Sequence, residues 1–180
     1  MLLGVVLIYC SATALSRDRF SESEVAVALL YNVTKFVQWP QGSFAGTDAA
    51  LKICTYPSED YRAALQALEQ RSVGARPIEV VELPTGSNGS DSGCHVLFFT
   101  SPEQAVNGNT FRGLDGQAVL TVGNYREFAE QGGMLSLAKG RRRVNIRINA
   151  TASKRAGLEY NSQLLELATV FKRNDGGSSR

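Results

Sequence analysis

Residues 94–99 read Cys-His-Val-Leu-Phe-Phe, and residues 118–122 read Ala-Val-Leu-Thr-Val. Runs this short and this apolar are the signature of strands buried on both faces, which belong to parallel sheets covered by helices. Working outward, residues 51–56 form a β-type run carrying Cys54, and residues 78–83 form another. Between them, residues 59–70 place Tyr61, Ala64, Leu65 and Leu68 on one side of a helix. Residues 102–111 are read as a short helix, and residues 125–131 as a helical turn or two closed by Gly132-Gly133. Residues 134–138 and 144–148 are strands joined by Lys139-Gly140-Arg141-Arg142, a hairpin turn. Strands alternating with helices and ending in a hairpin predict a single-domain α/β sandwich: a mixed, partly parallel sheet flanked by helices, with a C-terminal antiparallel hairpin.

The flanks complete this reading. Residues 22–38 carry Val25, Leu29, Val33 and Phe36, with Ala26, Leu30 and Val37, as an apolar stripe at helical spacing. Ser21 suits the N-cap, Glu22 and Glu24 favour the first turn, and Trp39-Pro40 ends the helix. The last helices are expected at residues 152–156 and 161–171, the latter with Leu164, Leu165, Leu167 and Ala168 as its apolar face. The loop 84–93 is rich in Ser, Gly, Asn and Asp, and the Gly/Ser-rich tail from Asn174 to Arg180 is expected to be disordered.

The chain has 180 residues, with 19 Lys plus Arg against 17 Asp plus Glu, a net charge of +2. That balance excludes a strongly basic nucleic-acid binder. One His and three Cys disfavour a zinc enzyme or a Ser-His-Asp hydrolase. Residues 2–9 are apolar but too short to cross a bilayer, which takes about 20 residues. Small residues follow, then Arg17-Asp18-Arg19, so residues 1–16 read as a secretory signal peptide, cleaved after Ala14 or Ser16. A buried N-terminal element is the other reading, since no Lys or Arg precedes the apolar run. Cys10 is not read as a lipid-bearing cysteine, because Tyr9 stands where a small residue is needed. Processing removes Cys10 and leaves Cys54 and Cys94, an even pair that reads as a disulfide in an oxidising compartment, or else as two separate buried thiols. The mature domain then spans residues 17–173.

No constellation for chemistry stands out. Cys94 and His95 are adjacent on a strand and point to opposite faces, so they cannot act as nucleophile and base, and His95 reads as structural. Arg141, Arg142 and Arg143 at the hairpin tip suit an acidic partner or lipid headgroups, or form an ordinary solvated turn. Arg143, Asn145, Arg147 and Asn149 give one face of the following strand a polar lining, either solvent-facing or the floor of a pocket. Glu159, Tyr160 and Asn161 are further pocket candidates. Phe36, Trp39 and Phe44 cluster at the end of the first helix; Phe36 is read as core and Trp39 as the residue to test for exposure.

The ordered set of motifs carries a resemblance. Leu29-Leu-Tyr-Asn-Val-Thr-Lys-Phe-Val-Gln-Trp-Pro40, Val73-Gly-Ala-Arg-Pro77, Cys94-His-Val-Leu-Phe-Phe99, Val119-Leu-Thr-Val-Gly123, Gly132-Gly-Met134 and Arg143-Val-Asn-Ile-Arg-Ile-Asn149 together resemble the YfiR family, also called DUF4154. The resemblance implies a small periplasmic α/β protein, often a homodimer; with no nucleophile–base or ligand cluster in the sequence, the chain is expected not to be an enzyme and to need no cofactor or metal. It implies binding and repression of the periplasmic part of an inner-membrane diguanylate cyclase, which lowers cyclic di-GMP and biofilm formation, or of a sensor kinase. Cys54 and Cys94 match the cysteines of the family's structural disulfide. A second pair that some members carry near the final hairpin is absent here. The alternative from another class is a periplasmic small-molecule binding protein with its ligand near Arg147, Glu159 and Asn161.

Overall fold

The computed structural model describes residues 20–87, 89–90, 92–105, 109–140 and 144–173. The expected signal segment 1–16, the arginine turn 141–143 and the tail 174–180 lie outside the described residues.

The two apolar runs, residues 94–99 and 118–122, lie side by side at the sheet centre. The strands are β1 (Val37–Gln38), β2 (Leu51–Thr55), β3 (Ser72–Val73), β4 (Arg76–Glu82), β5 (Val96–Phe99), β6 (Leu120–Gly123), β7 (Leu135–Lys139), β8 (Val144–Asn149), β9 (Glu159–Tyr160) and β10 (Ala168–Phe171). Eight of them form one mixed sheet in the order β10-β8-β7-β6-β5-β2-β4-β3, while β1 and β9 pair separately. From β4 to β7 every pairing is parallel. The run β4-β2-β5-β6-β7 is the 2-1-3-4-5 order of a doubly wound fold. Strands β7 and β8 form the expected antiparallel hairpin, with Leu135 opposite Ile148 and Lys139 opposite Val144.

Side chains alternate across the buried strands and build two cores. Ile53, Val96, Phe98, Leu120 and Val122 join a large core with Ala26, Val27, Leu30 and Val33 of α1 (Glu22–Thr34) and with Leu65 of α2 (Glu59–Gln66). Cys54, Leu97 and Phe99 face the other way, into a smaller core with Tyr56, Leu83, Cys94 and Phe128. Phe128 is fully buried, and a Cβ at either Gly123 or Gly133 would overlap its ring. These two glycines therefore give the ring its place. Three short helices complete the chain: α3 (Asn109–Gly113), α4 (Ala150–Arg155) and α5 (Ser162–Leu167).

Two expected helices give way to strands at their C-terminal ends. The first helix stops at Thr34, with Ser21 as N-cap in a reciprocal capping box with Glu24. The Thr34 hydroxyl donates to the Tyr31 carbonyl, and Val37–Gln38 leave the helix to pair with Tyr160 and Glu159. The stretch expected as one helix over 161–171 ends at Leu167, and Ala168–Phe171 becomes an edge strand parallel to β8. In both places a β-branched or aromatic segment gains a neighbouring strand, and pairing overrides helical periodicity. As a result the hairpin does not end the sheet, because β10 covers its outer strand. Residues 125–131 form the expected turns, and the described part of 102–111 is a 3-10 turn over Pro102–Ala105 followed by the start of α3 at Asn109.

Candidate functional site

Cys54 on β2 and Cys94 just before β5 are joined in a disulfide, with their Cα atoms 5.8 Å apart. Its position follows from the topology. The chain leaves β4 on one side of β2 and must enter β5 on the other, a crossover that a doubly wound fold normally makes with a helix packed on the sheet. Here the connection is the loop after Glu82, anchored by buried Leu83, by Gly89 packed on Leu83 and Leu97, and by the bond from Cys94 down to β2. The Tyr56 hydroxyl donates to the Ser87 carbonyl at 2.8 Å and fixes the loop's middle. Burial pushes the Tyr56 phenol above its ordinary value.

His95 points to the opposite face from Cys94. The Lys52 backbone N–H donates to its Nδ1 at 3.0 Å, so Nε2 carries the proton and donates to the Ser43 carbonyl, also at 3.0 Å. Burial lowers its pKa; the bond to Ser43 opposes this, and the positive charges of Arg76 and Lys52 add to it. The imidazole is a neutral clamp holding the loop after Pro40.

That loop walls a groove of about 530 Å³. Phe44 is stacked between the His95 ring, with centroids 4.2 Å apart, and the Arg76 guanidinium, 3.8 Å from its own centroid. Arg76 Nη1 donates to the carbonyls of Gly46 (2.7 Å) and Ala49 (3.0 Å). Trp39 meets Phe44 edge to face at 5.9 Å. It is half-buried in the groove wall rather than exposed, and its Nε1 is buried with no hydrogen-bond partner. Lys35, Val37, Pro40, Leu51 and Val73 also line it. Phe36, Trp39 and Phe44 are grouped by their sequence spacing, whereas Arg76 and the partners of His95 come from distant positions; the one sequence signal for Arg76 is its place in Val73-Gly-Ala-Arg-Pro77.

The other candidates do not come together. Arg147 donates through Nη2 to Glu130 and lies over the Phe171 ring at 5.3 Å. Asn161 is the N-cap of α5, accepting from the Leu164 N–H at 3.1 Å, and Glu159 is an exposed residue of β9 opposite Gln38. None of the three lines the groove. Asn149, on the polar face of β8, is buried: Oδ1 accepts from the Ala152 N–H and Nδ2 donates to the Ala129 carbonyl. Tyr160 donates to or accepts from Ser153, and burial pushes its phenol up to about 12. Among the described residues no group of three or more His, Cys, Asp or Glu could hold a metal, and no helix is long and apolar enough to cross a membrane.

No curated protein matches the sequence. The fold is similar to the crystal structure of a conserved domain protein from Vibrio cholerae O1 biovar El Tor str. N16961, with a TM-score of 0.54 at 16% identity. The match covers 85% of this chain and 61% of that one, so the chain spans about three fifths of that structure's length. A family model described as YfiR/HmsC-like, DUF4154, matches residues 23–169, from the first turn of α1 to β10. With the motif order, the mixed sheet and the Cys54–Cys94 bridge all in place, the chain belongs to the YfiR/HmsC-like family.

Proposed function

We propose that this chain is a periplasmic, non-enzymatic regulator that binds the periplasmic part of an inner-membrane diguanylate cyclase and represses it. The observation that carries the reading is the family match over residues 23–169, joined to a disulfide that suits an oxidising compartment. Repression requires only that the regulator bind the inactive receptor state more tightly than the active one. The charge of Arg141, Arg142 and Arg143, which lie in sequence between β7 and β8, suits an acidic patch on the receptor. The test is co-purification of the mature chain with the periplasmic domain of a membrane cyclase encoded beside it. Retention that weakens when the three arginines become Gln supports the reading, and failure to co-purify with any such domain under oxidising conditions refutes it.

A further inference from the structure

The loop from residue 39 to residue 50 contains no helix or strand and is tied to the sheet by side chains. Arg76 ties its far half, through the Gly46 and Ala49 carbonyls. His95 ties the near half, at the Ser43 carbonyl, and its ring stacks on the face of Phe44 that Arg76 leaves open. These bonds admit one protonation state of the imidazole. Nδ1 accepts from the Lys52 backbone N–H, so it carries no proton, and Nε2 donates to Ser43. A proton on Nδ1 sets two N–H donors against each other at 3.0 Å. The ring is rigid, so swinging away from Lys52 also takes Nε2 off Ser43. The charged groups facing the ring are Lys52 on β2 and Arg76 and Glu79 on β4. Glu79, the one acid among them, is 3.8 Å from Lys52 Nζ. An imidazolium therefore meets two cations and no carboxylate of its own, in half-buried surroundings where like charges repel more strongly than in water.

We propose that His95 is an acid-operated latch: when it takes a second proton, residues 41–45 leave the sheet while the sheet itself stays folded. The sheet has supports of its own. Strand β2 pairs along its length with β4, and the Cys54–Cys94 bridge holds the entry to β5. Residues 41–45 have no such ladder, and segments with few backbone bonds open locally at low cost. Histidine is the side chain whose ordinary titration falls in the mildly acid range. Here burial, with Arg76 and Lys52 adding to it against the Ser43 bond, moves that titration lower, so the latch holds at neutral pH. In the exported chain proposed above, the Phe44 wall then changes shape with external acidity. The latch itself needs no receptor and stands independently of that reading.

His95 is the only histidine and Trp39 the only tryptophan, so each gives one assignable signal. The test titrates the oxidised mature chain from about pH 7.5 to about pH 4.5. It follows three reporters: the His95 ring proton by NMR, Trp39 emission, and the backbone order parameters of Gly42 and Ala45. The expected ring midpoint lies below the ordinary 6.5. At the same midpoint Trp39, which meets Phe44 edge to face, shifts its emission to longer wavelength. The two order parameters fall there from about 0.85 to below about 0.6. Amides of Val96–Phe99 and Leu120–Gly123 keep their exchange protection. In His95→Gln, which keeps a donor and an acceptor but does not titrate, Trp39 emission and the order parameters stay flat. A ring that protonates with the loop unmoved overturns the proposal, as does the same release in His95→Gln, or loop and central strands opening together. Should His95→Gln fail to fold, coincident wild-type midpoints with protected strands still support the latch, and separated midpoints refute it.

Discussion

Breaking the Cys54–Cys94 bond removes the anchor of a crossover whose described residues form no helix. The two cysteines are 40 positions apart. Closing a loop of that length lowers the entropy of the unfolded chain by about 13 cal/mol/K, or about 4 kcal/mol at 25 °C. A domain of this size moves its melting temperature by roughly 2–4 °C per kcal/mol, so reduction is expected to lower it by roughly 8–16 °C. The assay is thermal unfolding by circular dichroism of the oxidised chain, the reduced chain and the Cys54→Ala, Cys94→Ala double variant. The last two should coincide, and hydrogen exchange should speed first in the loop after Glu82 and in β5. A drop under about 3 °C would refute the reasoning, since Leu83, Gly89 and Tyr56 would then hold the crossover unaided. In cells, the same double variant is expected to lose repression of the receptor in proportion to its lost stability; full repression at normal abundance would sink the link between bridge and function.

Further predictions follow from single residues. Gly133→Ala or Gly123→Ala drives a methyl into the Phe128 ring and should cost about 1–3 kcal/mol in chemical denaturation; a neutral effect would show that the ring is free to move. Asn149→Ala removes both the cap on α4 and the bond to Ala129, leaving a buried carbonyl unpaired, and should cost about 2–3 kcal/mol by the same measurement. His95, the only histidine, has its pKa lowered by folding, so the unfolded chain binds the proton more readily. Its contribution is therefore complete above the ordinary value of 6.5 and is lost as pH falls from there toward the folded value. Unfolding between pH 7 and 5 should show this slope, and His95→Gln should flatten it; a slope unchanged in the variant contradicts the clamp.

The sheet was legible because its central strands are so apolar. Val96–Phe99 and Leu120–Gly123 are buried throughout, and no amphipathic element competes for that pattern. Cys54 and Cys94 were legible as a pair from count and compartment. The segments that change type were not. Residues 168–171 continue the apolar face of a helix, and only the presence of β8 alongside makes them a strand. Val37–Gln38 depend in the same way on β9, more than a hundred positions away. The groove was half legible. Trp39 and Phe44 are close in sequence, but Arg76 and His95 arrive from β4 and the entry to β5, a juxtaposition that no local spacing encodes. The polar side of β8 looked like one surface, yet Arg147 pairs with Glu130 while Asn149 is buried in a cap.

Intracellular cyclic di-GMP reports whether an exported form of the chain represses a membrane cyclase. The full chain is produced alongside a membrane diguanylate cyclase, one encoded beside it being the first choice, and compared with the same chain lacking residues 1–16, the proposed export signal. Exported protein is expected to lower cyclic di-GMP several-fold while the retained form leaves it unchanged. Equal cyclic di-GMP levels in the two strains, with the exported protein confirmed in the periplasm, would contradict the account.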